Sequence, residues 1–334
     1  MSLKSRLLGK LMSNAASSGF CSNLLAFIYL AKTASDRYPV VHNCRDYTSN
    51  IYIRYLLNLL VLPAGICKYF FHGDISRENR DGLAIVLIAK NEADYIQEWL
   101  DFHIKQGVSN FVIYDNESDD NLREVLQPYI DSGIVLYELM RGHVRQIDAY
   151  NKAFWKYGRR FKYMAVIDAD EFLFVRDNNA NLYDFVDRFM NAHDNAGGLV
   201  VNWCMFGSSG HVSKPLGGVL RNFTRRAPDD FAANHAVKSI CDPLRVLAWN
   251  YPHQPKYLRN FDSLDENASV VKTVGTEKVS FEKIRINHYF SKSWEEFLRK
   301  KSRGFADSLR ERDVQDFYAN DRNEILDTEI LSHV

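Results

Sequence analysis

Between residues 83 and 167 the chain repeats one pattern: a short apolar run, a polar turn, an amphipathic stretch, then another apolar run. Residues 83–89 (Leu-Ala-Ile-Val-Leu-Ile-Ala) read as a buried strand. Residues 92–106 then carry Tyr95, Ile96, Trp99, Leu100, Phe102, His103 and Ile104 at helical spacing, and Gly107 stops the helix. A strand at 110–114, a helix at 122–130, a strand at 133–139, a helix at 146–157 and a strand at 163–167 follow. Alternation at this pitch leaves little choice but right-handed βαβ units around a parallel sheet. Ligands of such sheets sit beyond the carboxyl ends of the strands. The polar clusters fall there: Lys90-Asn91-Glu92 after the first strand, Asp115-Asn116-Glu117-Ser118 after the second, and Asp168-Ala169-Asp170-Glu171 after the fourth.

The last cluster carries the most chemistry. Carboxylates at the end of a buried strand repel one another, and their ionised forms are costly away from water. A divalent cation removes the conflict, because hard oxygen ligands suit Mg²⁺ or Mn²⁺. An isolated Asp-x-Asp is more often a solvated loop; three polar clusters on one rim turn the reading toward a metal site at Asp168 and Asp170.

Beyond residue 173 the alternation gives way to a mixed extension. Strands are expected at 198–203, 219–225, 237–240 and 284–290, with a loop of lid-like composition at 207–215. Residues 293–303 form an amphipathic helix bearing Arg299, Lys300, Lys301 and Arg303, and the charged tail from 307 reads as helical. The polar stretch 76–82 marks a boundary. The layout is a helical extension over 1–80, a main domain over 81–290 and a helical segment over 291–334.

The formal net charge of zero argues against a nucleic-acid binder, whose phosphate contacts need a basic excess. Five widely spaced cysteines without a Cys-x-x-Cys pair point to neither a disulfide framework nor a zinc site, and so to a reducing compartment. No apolar stretch is long and uninterrupted enough to span a bilayer. The first 17 residues hold Lys4, Arg6 and Lys10 with no acid, a start that would suit peripheral contact with an anionic membrane surface; helices packed on the main domain are the plainer alternative.

The ordered set of motifs is more specific than any one of them. Lys90-Asn-Glu-x-x-Tyr-Ile-x-Glu-Trp99, Tyr114-Asp-Asn-x-Ser-x-Asp120, Gln146 with Ala149-Tyr-Asn151, Asp168-Ala-Asp-Glu-Phe172, Trp203-Cys-Met-Phe-Gly-Ser208, Lys238-Ser-Ile240 and His288-Tyr-Phe-x-Lys-Ser resemble the family-92 glycosyltransferases and related family-2-like enzymes. The resemblance covers residues 83–304. It implies an α/β fold of the GT-A type, a nucleotide-binding mixed sheet flanked by helices, with helical extensions at both ends.

The resemblance also implies roles. The enzyme would be an inverting one that moves a hexose, plausibly galactose, from a UDP-sugar to a glycan or lipid-linked acceptor, as in polysaccharide synthesis. Asp168, Asp170 and His288 would hold Mn²⁺ or Mg²⁺ on the donor diphosphate. Asn91, Glu92 and Asp115 would face the nucleoside, and Gln146 and Asn151 the nucleotide or sugar edge. Lys300 and Arg303 would clamp the diphosphate. Trp203, Phe206, Gly207 and Ser208 would meet the acceptor. The general base stays open among Glu171, Asp229, Asp230 and His211. A membrane anchor and stem are not evident, which suggests a bacterial, cytoplasmic member, membrane-associated if the basic start binds lipid. Two other classes remain: a phosphoryl-transfer hydrolase using the Asp-x-Asp pair, and a carbohydrate-binding protein without catalysis. The hydrolase would want its acidic pair after the first strand.

Overall fold

The computed structural model describes residues 80–303 and 312–334. The chain divides into two compact units, Met1–Ile75 and Ser76–Val334, and every element below belongs to the second. The helical extension expected for 1–80, with its membrane contact, lies outside the described residues. No helix among the described residues is long and apolar enough to cross a membrane.

Four strands run parallel: β1 (Asp81–Ala89), β2 (Asn110–Asp115), β3 (Val135–Leu139) and β4 (Phe161–Val166). They are joined by α1 (Ile96–Lys105), α2 (Leu122–Asp131) and α3 (Gln146–Tyr157). The alternation of the sequence is thus realised within a few residues at each end. Because helices cover both faces, the strands are apolar on both. In β1, Leu83, Ile85 and Leu87 enter one core with Trp99 and Leu100, while Ala84, Val86 and Ile88 enter the other with Tyr150 and Phe154.

After β4 the chain turns through Asp168 into β5 (Glu171–Val175), followed by α4 (Leu182–Ala192) and the long β6 (Ala196–Met205). The strand expected over 219–225 is a correction. Val219–Asn222 form one helical turn, α5, and only Arg225–Arg226 are extended, as β7. The carboxylate of Glu98 accepts hydrogen bonds from the Val219 and Leu220 amides, which satisfies the first turn in the manner of an N-cap. Next come β8 (Val237–Cys241), β9 (Val246–Trp249), β10 (Pro255–Tyr257), β11 (Asp262–Leu264) and β12 (Ile284–His288). Helices α6 (Trp294–Arg303) and α7 (Val314–Asn320) and the two-residue β13 (Ile325–Leu326) complete the chain.

The main sheet has nine strands in the order β3-β2-β1-β4-β8-β6-β12-β5, with β11 also beside β6. β8 is antiparallel to β4 and β6, whereas β12 is parallel to β6. This mixture fixes the site. The carboxyl ends of β1, β2, β4, β6 and β12 and the amino ends of β5 and β8 share one rim.

The loop at 207–215 is not a free lid. Asp321 accepts from the Ser208 amide at 2.6 Å, Asn323 from Ser209 at 2.7 Å, and Glu295 from Lys214 at 2.9 Å. The tail that holds it is itself anchored in the sheet. Arg285, 2 % exposed, pairs with both oxygens of Asp327 at 2.9 and 3.2 Å and lies over the Phe174 ring. Breaking a buried pair strands the surviving charge. Asp327→Ala should therefore lower stability by about 3–5 kcal/mol in urea unfolding; a loss under about 1 kcal/mol would mean the tail clamp contributes little.

Candidate active site

The rim encloses a cleft of about 570 Å³. Asn91, Glu92, Gln146, Asp168, Asp170, Trp203, His288 and Lys300 all line it. Lys238, His253, Asn116 and Arg312 line it as well.

Strand pairing brings these side chains together. His288 ends β12 opposite Glu171 on β5, and β12 runs beside Trp203 on β6. Lys238, second in β8, lies opposite Val201 of β6. The turns after β1 and β2 are stitched to each other. Asn91, in the left-handed region at φ 55°, donates its amide to Ser118 Oγ and accepts from the Asp119 amide, both at 3.0 Å. Asp115 accepts from the Ser118 amide at 2.8 Å and from the Tyr137 hydroxyl at 2.7 Å. It is buried, spends its oxygens on the Ser118 amide three residues on and on Tyr137, and does not line the cleft; its neighbour Asn116 does.

The acidic residues have separate environments. Asp170 pairs with Lys300 through Oδ2, and its Oδ1 lies 3.6 Å from His288 Nε2. Burial works to raise the Asp170 carboxyl, but Lys300 and then His288 outweigh it and hold it well below the usual carboxylate range. Burial lowers His288, partly opposed by Asp170. Asp168 accepts from Lys238 Nζ at 2.7 Å and from Gln146 Nε2 at 3.2 Å. Glu171 is fully buried; its Oε2 accepts from the Asp168 amide at 2.9 Å and its Oε1 lies 3.6 Å from Lys238. Burial pushes the Glu171 carboxyl up to about 8, against the pull of Lys238. Burial of Glu171 thus outweighs the one buried lysine that it shares with Asp168, and favours its neutral form.

This geometry corrects several expected roles. Glu171 has no surface in the cleft and so cannot reach an acceptor hydroxyl. Asp230 is exposed on the turn before the 3₁₀ helix Ala232–His235, and Asp229 there is bound to Arg226; neither lines the cleft. His211 donates through Nε2 to the Asn222 carbonyl at 3.2 Å, away from the rim. Asn151 spends its amide on the backbone of Ile147 and Trp249. Phe206 is fully buried against Tyr289, and Ser208 is buried and tied to the tail. A Cβ on Gly207 would meet the Arg322 carbonyl at 2.3 Å, so this glycine is there for close packing rather than for an acceptor. The Arg303 side chain lies outside the described residues.

The expected three-residue metal set is only partly assembled. Among the described residues no three His, Cys, Asp or Glu side chains converge closely enough to cage a metal. Asp170 and His288 nevertheless fit one as a partial seat. Their 3.6 Å separation is too long for a hydrogen bond, and it would accept an ion held by bonds of about 2.1 Å. Divalent ions at phosphate sites commonly take only one or two protein ligands, with phosphate and water supplying the rest.

The chain's likeness to known proteins agrees with its sequence motifs. A family model described as glycosyltransferase family 92 matches residues 86–324, more than half of the chain. A glycosyltransferase family 92 protein of Ricinus communis is 27% identical over 230 residues, covering 67% of this chain and 38% of that protein. One from Oryza sativa subsp. japonica is 27% identical over 168 residues, covering 50% and 28%. The matched region thus spans well under half the length of these plant relatives. Among solved structures, S. aureus TarS 1–349 in complex with UDP-GlcNAc aligns over 71% of this chain and 64% of that chain, at 14% identity and a TM-score of 0.40. The same protein in complex with UDP aligns over 49% and 47%, at 15% identity and a TM-score of 0.33.

The burial of Glu171 has a measurable consequence. Its folded value lies above the unfolded one, so its contribution is complete below the ordinary glutamate range and is lost as the pH rises toward 8. Between about pH 5 and 8 this one group should reduce stability by up to about 1.4 kcal/mol per pH unit. Glu171→Gln should remove that part of the slope in denaturant titrations run across the range. An unchanged slope would mean that Glu171 is ionised in the fold.

Proposed function

The chain belongs to glycosyltransferase family 92, and on that footing we propose that it transfers a hexose from a UDP-sugar to a saccharide or lipid-linked saccharide acceptor, with a divalent cation at the donor diphosphate. The observation that carries the reading is the convergence of Asp170, His288, Lys300 and Lys238 on one rim cleft, opposite the turns that follow β1 and β2.

The charge balance of the cleft supports a cation. Setting histidines aside, Lys90, Lys238, Lys300 and Arg312 face Glu92, Asp119, Asp168 and Asp170 among the described lining residues, four of each sign. A donor diphosphate would add negative charge to a balanced site, and a divalent ion would offset it. Asp170 and His288 would hold that ion, with Asp168 nearby. The bound ion supplies electrostatic stabilisation of the charge that develops on the departing diphosphate.

The protein's own groups do the rest. Lys300, which pairs with Asp170, would turn to the leaving group and neutralise it as a point charge if an ion took its place on that carboxylate. Asn91, Asn116 and Asp119 line the end of the cleft fed by β1 and β2 and would meet the nucleoside there. Lys238 and Gln146 hold the Asp168 carboxylate in place in the cleft, where it would meet the donor. The partly covered rim lowers the local dielectric and strengthens each of these contacts.

Calorimetry with UDP tests this reading. Binding should require Mn²⁺ or Mg²⁺ in the wild type. Asp170→Ala should abolish the metal dependence and reduce transfer from a UDP-hexose by about 10²–10³-fold. Transfer that survives Asp170→Ala with its metal dependence intact would overturn it.

A further inference from the structure

We propose that Trp203, His253 and Tyr251 form an aromatic shelf that seats the acceptor, and that the acceptor group it seats is a pyranose presenting an apolar ring face. The proposal rests on the donor reading above only for the word acceptor; that the shelf takes a sugar rests on its own geometry.

The three rings make a continuous run from the rim to the outside. The Trp203 centroid is 4.3 Å from that of His288 and 5.0 Å from that of His253, with planes inclined by 58° and 60°, so the run is stepped rather than flat. Tyr251 stacks on His253 at 5.3 Å with 29° between the planes, and it is 44% exposed. Tyr251 is not itself part of the cleft lining but stacks on His253, which is, and an exposed tyrosine in that place gains little from burial. A ring face beside hydrogen-bonding groups is what the C–H face of a sugar, edged by hydroxyls, would occupy.

The shelf is held rigidly. The Val237 carbonyl accepts from His253 Nδ1 at 2.7 Å, and Ser239 Oγ donates to the His253 carbonyl at 2.7 Å. Since a carbonyl only accepts, Nδ1 carries the proton and Nε2 keeps a lone pair. Burial, with Lys238 next, lowers His253 to about 4, so the ring is neutral near pH 7 and Nε2 can accept from a hydroxyl. The Trp203 Nε1–H is buried with no hydrogen-bond partner among the described residues, a donor still to be satisfied. Lys238 lies 6.0 Å from the Trp203 ring, beside Asp168. Ring faces with an acceptor at His253 Nε2 and an unsatisfied donor at Trp203 suit the edge of a pyranose.

The position separates this seat from the nucleoside end. The shelf rises from β6 and from the connection that leaves β9, while Asn91 and Asn116 follow β1 and β2. From β1 to β6 is three strand spacings, about 14 Å. The Asp170–His288 seat adjoins the shelf through Trp203. A donor anchored at the first end with its diphosphate at the acids would reach the shelf only with its sugar edge, which leaves the outer rings, Tyr251 above all, to a second saccharide.

Saturation-transfer NMR on the full chain with millimolar lactose, and with cellobiose and maltose, tests this without any nucleotide. Wild type and Tyr251→Phe should transfer saturation to the ring protons of at least one disaccharide, and Tyr251→Ala should cut the signal at least fivefold. UDP affinity in the presence of Mn²⁺, measured on the same preparations, should be unchanged in both variants, and this also reports that the exposed substitution leaves the fold intact. Equal saturation in wild type and Tyr251→Ala, or no saturation with any of the three sugars, would overturn the shelf. A parallel loss of UDP affinity in Tyr251→Ala would overturn its assignment to the acceptor. Lactose binding by a wild type that does not bind UDP would leave the shelf standing and remove the donor reading instead.

Discussion

Everything in the cleft follows from how four charges are paired where β4 leaves the sheet. Asp170 faces Lys300 and His288, and Asp168 faces Lys238. Against burial, Lys300, with His288 beside it, holds the Asp170 carboxyl well below the usual carboxylate range. The two pairs are not equivalent. Lys238 is buried, shared with Glu171 and enclosed by the sheet, so it is a permanent fixture. Lys300 extends from α6, a helix outside the sheet, and pairs with Asp170 from the open side of the cleft.

The topology explains how residues far apart in sequence form one site. A purely parallel sheet would offer only the loops after its strands. Here β8 enters antiparallel, so Lys238 reaches the rim from the start of its strand. Because β12 runs parallel to β6, His288 arrives opposite Met205, two residues beyond Trp203, with its ring against the Trp203 ring. The tail then locks the far edge through Asp327 and the stretch 321–323, converting what composition describes as a loop into a fixed wall.

Much of this was legible in the sequence, and the failures have identifiable causes. The first four strands and three helices were legible because helices on both faces demand apolar strands, and Gln146 opens α3 as its pattern indicates. Asp168, Asp170 and His288 were legible as a rim group because motif order carried them. The 219–225 run misled because Val219, Leu220 and Phe223 suit a helical turn as well as a strand, and the deciding group, Glu98, is 121 residues away. Strand β5 was missed because Glu171 looks like a third acid of a loop, whereas its side chain turns inward. Lys238 was read only as part of a motif: a sequence does not distinguish a buried lysine from a surface one. His253 and Tyr251 carried no signal, being set by a connection whose path depends on β8. Glycine and serine in 207–210 signalled mobility, but their partners lie in the tail.

On the proposed reading, the Asp170–His288 gap would be a cation seat and Lys300 would pair with Asp170 until the ion binds. Anomalous diffraction from crystals grown with Mn²⁺ and UDP tests it directly. The account predicts a manganese peak bonded to Asp170 and His288, with Lys300 withdrawn from the carboxylate and turned to a phosphate oxygen. Bound UDP with Lys300 still on Asp170 and no metal peak between the two residues would contradict it.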